Sequence, residues 1–279
     1  MSYIPVNWEE SLHRECSRRR LSPRTHKTYH YCISRFLDWT KKDIGKISKK
    51  DVREFLNYLS DRGKSGSTIN VYHMAIKFLL EDCLNKKMNL NIRYSKIPEK
   101  LPLVLSKDEV KRLFDAIGNS KHSLMIELMY SAGLRVSELL NLKVCDLEID
   151  KGYGFVRAGK GGKDRLFILS EKLKGRINEL VDNEKINSES CLFISNRNKK
   201  YSTRSIQQII KKARKRAKIE KKIHPHTLRH SFATHLIENG YSVSEVQSLL
   251  GHKSPETTMV YVHMASPNML KIKSPLDDL

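Results

Sequence analysis

The stretch HPHTLRHSFATHL, residues 224–236, carries four histidines and an arginine on a segment whose apolar residues still keep a helical period. Pro225 suits the first position of a helix, where a missing N–H costs nothing. From there Leu228, Phe232 and Leu236 recur four apart as a core stripe, while His226 and Arg229, three apart, share another face. An imidazole and a guanidinium are thus expected side by side on a helix anchored in a core. A metal site is the first alternative, because His226 and His230 stand four apart. No HExxH occurs, no cysteine joins them, and Arg229 would set a cation beside the ion, so no metal is expected.

Composition points to the partner. The 279 residues carry a formal net charge of +21, an excess of Lys and Arg that calls for a polyanion, with nucleic acid favoured over an acidic small molecule. A membrane surface is the competing reading. No apolar run approaches the roughly 20 residues of a spanning helix, and MSYIPVNWEE lacks the basic-then-apolar order of a signal peptide. No membrane partner and a cytoplasmic location are therefore expected. Cys16, Cys32, Cys83, Cys145 and Cys191 are odd in number and form no CxxC, which fits reduced, structural thiols.

Upstream, the first ninety or so residues read as helices only. Tyr29, Ile33, Phe36 and Leu37 follow a turn at Leu21, Ser22 and Pro23. Ser48 with Asp51 caps a helix burying Val52, Phe55, Leu56 and Leu59. Gly63 and Gly66 break the pattern, and Ser67 restarts it with Tyr72, Ile76, Leu79 and Leu80 on one stripe. A bundle of about four helices is expected over residues 1–94, with Arg24, Lys27, Lys64 and Lys77 on its polar side. Residues 95–106, SKIPEKLPLVLS, hold two prolines and no period, and read as a linker.

The second lobe opens with a capping box at Ser106 and Glu109, before Val110, Leu113, Phe114 and Ile117. An apolar helix through Leu124, Leu128 and Ala132 stops at Gly133, and helical spacing resumes over Leu134 to Leu140, where Arg135 and Glu138 can meet. Tyr153 to Ala158 and Arg165 to Leu169 read as strands of a hairpin whose tip holds Lys160 in a Gly-Lys-Gly run. The spacing GxxxxGK[ST] is absent, so no nucleotide cofactor is expected. Ser202 to Ile219 reads as a helix with Ile206, Ile210 and Ala213 inward. Lys211, Lys212, Arg214, Lys215, Arg216 and Lys218 crowd its remaining surface, which suits a phosphate backbone.

In this order GLRVSEL, the hairpin GKG, HPHTLRH, LLGH and a Tyr nine residues after that last His resemble the successive motifs of the tyrosine recombinase, or integrase, family, and most of all its Xer branch. The resemblance spans both lobes. It implies a mainly α fold with a small β-sheet, in which an N-terminal helical, SAM-like core-binding bundle precedes a mixed α/β catalytic domain. It places that catalytic domain at residues 107–265 and leaves 266–279 as a tail expected to dock in trans, with packing on its own domain as the alternative. It also implies Arg135, Lys160, His226, Arg229, His252 and the nucleophile Tyr261 as catalytic residues.

The chemistry asks for the same residue types. Cleaving a phosphodiester needs cations on the non-bridging oxygens, a role for Arg135 and Arg229, with Glu138 orienting the former. A phenol with an ordinary pKa of about 10 needs a proton acceptor, assigned to His226. Lys160 would protonate the departing 5′ oxygen and His252 would donate to the phosphate. The expected product is a 3′-phosphotyrosyl link, formed with no cofactor. Arg24, Thr25, Lys64, Thr68, Arg204, Lys211 and Lys215 are candidate DNA contacts.

Expected partners are double-stranded DNA and further copies of the chain, as a tetramer on two sites, with a second recombinase or a DNA motor as possible additions. The leading expectation is Xer-type resolution of chromosome or plasmid dimers. Its alternatives are a viral or mobile-element integrase, a type IB topoisomerase-like activity, and a DNA-binding regulator with idle catalytic residues.

Overall fold

The computed structural model describes residues 7–97, 101–157, 164–195, 197, 199–251 and 258–259. Met1–Glu99 and Lys100–Leu279 form two compact units. The first is built from α1 (Trp8–Arg18), α2 (Pro23–Thr40), α3 (Lys49–Asp61) and α4 (Gly66–Lys77), the last running into a π-helical turn at Phe78–Cys83. Leu12, Ile33, Phe36, Val52, Ile76 and Leu79 are sealed in its core.

Side-chain caps decide where these helices begin. Ser22 Oγ accepts from Thr25 N–H at 3.1 Å, and Ser48 and Asp51 cap each other's backbone. The expected restart at Ser67 is corrected to Gly66. Ser65 Oγ takes the Thr68 N–H at 3.3 Å, so Gly66 occupies the first helical position instead of breaking the pattern. Helix α1 completes the expected bundle of about four helices, although its residues had not been singled out.

The second unit runs α5 (Lys107–Asp115), α6 (Ser120–Ser131), α7 (Val136–Asn141), β1 (Leu147–Glu148), β2 (Tyr153–Val156), β3 (Arg165–Ile168), α8 (Glu171–Asn183), α9 (Thr203–Arg216), α10 (Pro225–Glu238) and α11 (Val243–Leu250). Its three strands pair antiparallel in sequence order, with Gly154 opposite Phe167 and Val156 opposite Arg165. The expected hairpin is present, and β1 extends it to the three-stranded sheet. Alternation buries Val156 and Phe167 against a core that includes Leu128, Leu139 and Leu228.

The residues joining the two lobes in sequence are tied down on each side. Ser95 and Asn70 exchange hydrogen bonds of 2.8 and 3.0 Å within the first unit. Leu105, fully buried, donates its N–H to Ser231 Oγ at 2.9 Å within the second.

Candidate active site

The site grows from the start of α7. Arg135 is the extended residue before the helix, and Glu138, at the third helical position, reaches back to it. Glu138 Oε2 accepts the Arg135 N–H at 2.9 Å and Oε1 accepts from Arg135 Nη1 at 2.6 Å. A backbone cap thereby becomes a clamp on a guanidinium. The arginine side chain remains 22% exposed while the carboxylate is 5% exposed. Arg135 thus presents a fixed, accessible cation above a buried anion.

Two further guanidiniums converge on that carboxylate. Arg165, from β3, donates Nη2 to Glu138 Oε2 at 2.7 Å and Nη1 to the Leu249 carbonyl at 2.6 Å. Arg229, in the first turns of α10, lies 3.8 Å from Glu138 and donates to the carbonyls of Gly133 and Leu250, each at 2.5 Å. Burial acts to raise the Glu138 pKa. The charge of Arg165 and the bonds from Arg135 outweigh it and hold the carboxyl below its ordinary value.

Gly133 is indispensable to this arrangement. Its φ is +57°, and a Cβ there would stand 2.6 Å from the Phe232 ring. Glycine ends α6 in the left-handed conformation and lets α10 bring Arg229 to the Gly133 carbonyl.

His226 lies one turn before Arg229 and is exposed. Desolvation by the surrounding protein, then the positive charges of Arg229 and Arg135, hold its pKa below the usual histidine range. The lowered pKa favours the neutral imidazole, the form that can accept a proton. Its neighbour His230 is more enclosed; burial first, then His226 and Arg229, depress it to about 4. Among the described residues no group of three or more His, Cys, Asp or Glu could hold a metal ion.

Arg135, Glu138, His226 and Arg229 are thus brought together. Lys160, His252 and Tyr261 lie outside the described residues. Sequence reasoning missed Arg165, although a signal existed: with Phe167 and Leu169 facing the core, strand alternation puts Arg165 on the same face, where a cation requires a buried partner.

The candidate DNA contacts fall in two groups. Arg24 and Thr25 stand in the first turn of α2, and Thr68 in that of α4, just after Lys64; Ser22 and Ser65 cap the two helices alike. The positive dipole ends there suit phosphate oxygens. Arg204, Lys211 and Lys215 are exposed along α9, on the side away from buried Ile206, Ile210 and Ala213.

Comparison with known proteins supplies the family. The profile of the phage integrase family matches residues 104–267, and that of the phage integrase N-terminal SAM-like domain matches residues 8–90. The chain belongs to the phage integrase family of tyrosine recombinases. It is 37% identical to tyrosine recombinase XerD of Oceanobacillus iheyensis over 272 residues, covering 90% of this chain and 91% of that one. Tyrosine recombinase XerA of Thermococcus kodakarensis is 35% identical over 256 residues, covering 90% and 88%. Among solved structures, a XerA recombinase crystal structure shares 30% identity and a TM-score of 0.54 over 92% of this chain and 93% of that one. The XerH site-specific recombinase bound to palindromic difH substrate, at 23% identity, aligns with a TM-score of 0.74 over 94% and 83%. The mainly helical fold with its small sheet is that of tyrosine recombinases, and Xer proteins are prominent among the relatives.

Proposed function

We propose that this tyrosine recombinase cuts and rejoins double-stranded DNA at specific sites, through a 3′-phosphotyrosyl intermediate that needs no metal. The observation that supports this most is the gathering of Arg135, Arg229 and neutral His226 around one buried carboxylate. In the proposed step, the Tyr261 phenolic oxygen attacks phosphorus and gives its proton to His226. The P–O5′ bond breaks, and the departing 5′ oxygen takes a proton from Lys160. Arg135 and His252 donate to the non-bridging oxygens, and Arg229 stabilises their charge from beneath. The new P–O bond to tyrosine preserves the energy needed to join another strand, so no nucleotide is consumed.

Residues 1–94 are the proposed core-binding domain and 107–265 the catalytic domain, joined by 95–106. Arg24, Thr25, Lys64, Thr68, Arg204, Lys211 and Lys215 are the proposed DNA contacts. The finer reading is Xer-type resolution of chromosome or plasmid dimers in the cytoplasm, by a tetramer in which residues 266–279 dock in trans. The Xer relatives support it.

Mapping covalent adducts on genomic DNA tests the activity and reveals the target. Tyr261→Phe should form no adduct while still binding DNA; adducts from that variant would displace Tyr261 as nucleophile. Strand exchange between two labelled duplexes separates recombination from relaxation alone, which would favour a topoisomerase-like role. Sedimentation on target DNA of a chain truncated after His263 tests docking in trans; an unchanged assembly rules it out.

A further inference from the structure

We propose that Arg165 is a positioning residue of the cleavage site: it bridges Glu138 and the Leu249 carbonyl, and so fixes both the Arg135 guanidinium and the point at which the chain leaves α11 for His252. This inference rests on the recombinase reading above.

Four observations carry it. First, the Arg165 side chain is only 9% exposed, yet it comes from the inward face of β3, a place where an apolar residue would pack without the cost of desolvating a charge. Second, its Nη groups are committed to two different parts of the site: Nη2 to Glu138 Oε2 at 2.7 Å, Nη1 to Leu249 O at 2.6 Å. Third, its Nε is buried and finds no hydrogen-bond acceptor among the described residues. There the side chain is held by its two Nη groups, the donors that bridge Glu138 and Leu249. Fourth, Gly251 has φ +61°, and a Cβ there would stand 2.7 Å from Arg165 Cδ. The arginine stem lies directly across the glycine that precedes His252 in the chain.

Through Glu138, the effect reaches Arg135. One carboxylate oxygen holds the Arg135 guanidinium and the other holds both Arg165 and the Arg135 N–H. Without Arg165, the carboxylate can turn about its last bond and release the guanidinium. Among the described residues, the groups facing Glu138 are Arg135 at the start of α7, Arg165 of β3, Arg229 of α10 and, at longer range, His226 of α10. Removing Arg165 takes away one of three nearby cations and makes the carboxyl easier to protonate. The carboxyl's own limb of the cleavage rate, which lies on the acid side of the His226 limb, should then move to higher pH.

The test uses the full chain and a suicide duplex carrying the site mapped with the wild type. Single-turnover adduct formation is followed from about pH 3.5 to pH 9 for wild type, Arg165→Gln and Arg165→Lys, alongside DNA affinity. The Glu138 carboxyl is titrated by ¹³C NMR in the DNA-free protein. For Arg165→Gln we expect affinity within about threefold of wild type and a rate lower by about 30-fold or more, with both the acid limb and the carboxyl midpoint moved upward. Arg165→Lys should recover part of the rate and most of the pH profile. A wild-type rate in Arg165→Gln overturns the proposal. So does a slow Arg165→Gln whose acid limb and carboxyl midpoint stay in place and which Lys does not improve, because that pattern marks a packing role. If the wild type makes no adduct on any DNA while the Arg165→Gln carboxyl midpoint rises, the recombinase reading fails and the Arg165–Glu138 link stands.

Discussion

Replacing Glu138 by glutamine removes a negative charge that lies 2.6 Å from Arg135, 2.7 Å from Arg165 and 3.8 Å from Arg229. The variant keeps the shape of the side chain and one carbonyl oxygen. It cannot keep both contacts, because each carboxylate oxygen already faces a guanidinium and the new NH₂ must be turned towards one of them. With the side chain 5% exposed, little water can fill the role. Stripping one partner from a buried ion pair costs about 3–5 kcal/mol. The retained oxygen places Glu138→Gln near the lower figure, about 3 kcal/mol. For a unit the size of Lys100–Leu279 each kcal/mol moves the melting temperature by about 2–4 °C, so the second unit should melt about 6–12 °C lower.

The rate should fall further than stability requires. In the proposed reaction an Arg135 no longer clamped is a lost charge-stabilising donor, an effect of about 10²–10³ in the chemical step. Calorimetry and single-turnover adduct formation measure the two quantities separately. Glu138→Asp keeps the charge but is one methylene short, so it should regain part of the stability and little of the rate. The pH dependence has a defined sign. The folded carboxyl titrates below its ordinary value of about 4.3, so its contribution to stability is fully present above that value and is lost as pH falls through the folded one. The wild type and Glu138→Gln should therefore converge in acid. A Glu138→Gln protein that melts within about 1 °C of wild type at neutral pH and cleaves at the same rate would refute the role of the carboxylate as a clamp.

Gly133→Ala forces a side chain into a left-handed turn and against the Phe232 ring at 2.6 Å, which should cost about 2–4 kcal/mol in thermal or urea unfolding. Ser231→Ala removes the acceptor for the buried Leu105 N–H, 2.9 Å away, and should destabilise the second unit by about 1–3 kcal/mol, read from denaturant midpoints. Replacing Lys211 and Lys215 together by Ala should weaken DNA binding at every sequence alike and lower the slope of log K against log salt by about 2, measured by titration at several salt concentrations.

Those three substitutions also mark how much of the molecule was legible in the sequence. Periodicity found the helices that present one apolar stripe, such as α3 and α9, because a stripe is a local property. Pro225 and the spacing of His226 and Arg229 located the first turns of α10 for the same reason. Helix α1 was counted in the bundle but not located: its buried residues are Leu12 and Cys16, too sparse a stripe to stand out. Gly66 was misread because a glycine looks the same whether it breaks a helix or follows a capping serine. The Arg135–Glu138 contact could be read from spacing, but its burial could not, since that depends on β3 and α10 arriving from distant parts of the chain. Arg165 belongs to the same class. Its partners, Glu138 and Leu249, lie 27 and 84 residues away, and no local pattern links them.

The long-range contacts also explain how three arginines can share so small a space. Helices α6 and α11 each end at a glycine with left-handed backbone, Gly133 and Gly251. Their last carbonyls are left without intrahelical partners. Arg229 takes the carbonyl of Leu250 in the last turn of α11 and that of Gly133 just beyond α6, and Arg165 takes that of Leu249. Each helix end contributes roughly half a negative charge. Together with the carboxylate of Glu138 they offset about two of the three positive charges, so about one remains uncancelled among the described residues. A single phosphodiester carries one negative charge. In the proposed reaction one such group would be met by Arg135, the most exposed of the three guanidiniums. Neutralising Arg135 would leave the three guanidinium sites one charge short with the helix ends and Glu138 still in place. Binding of the scissile phosphate should suffer more from that change than from the loss of any one lysine on α9, whose charges act along the backbone and not at a single phosphorus.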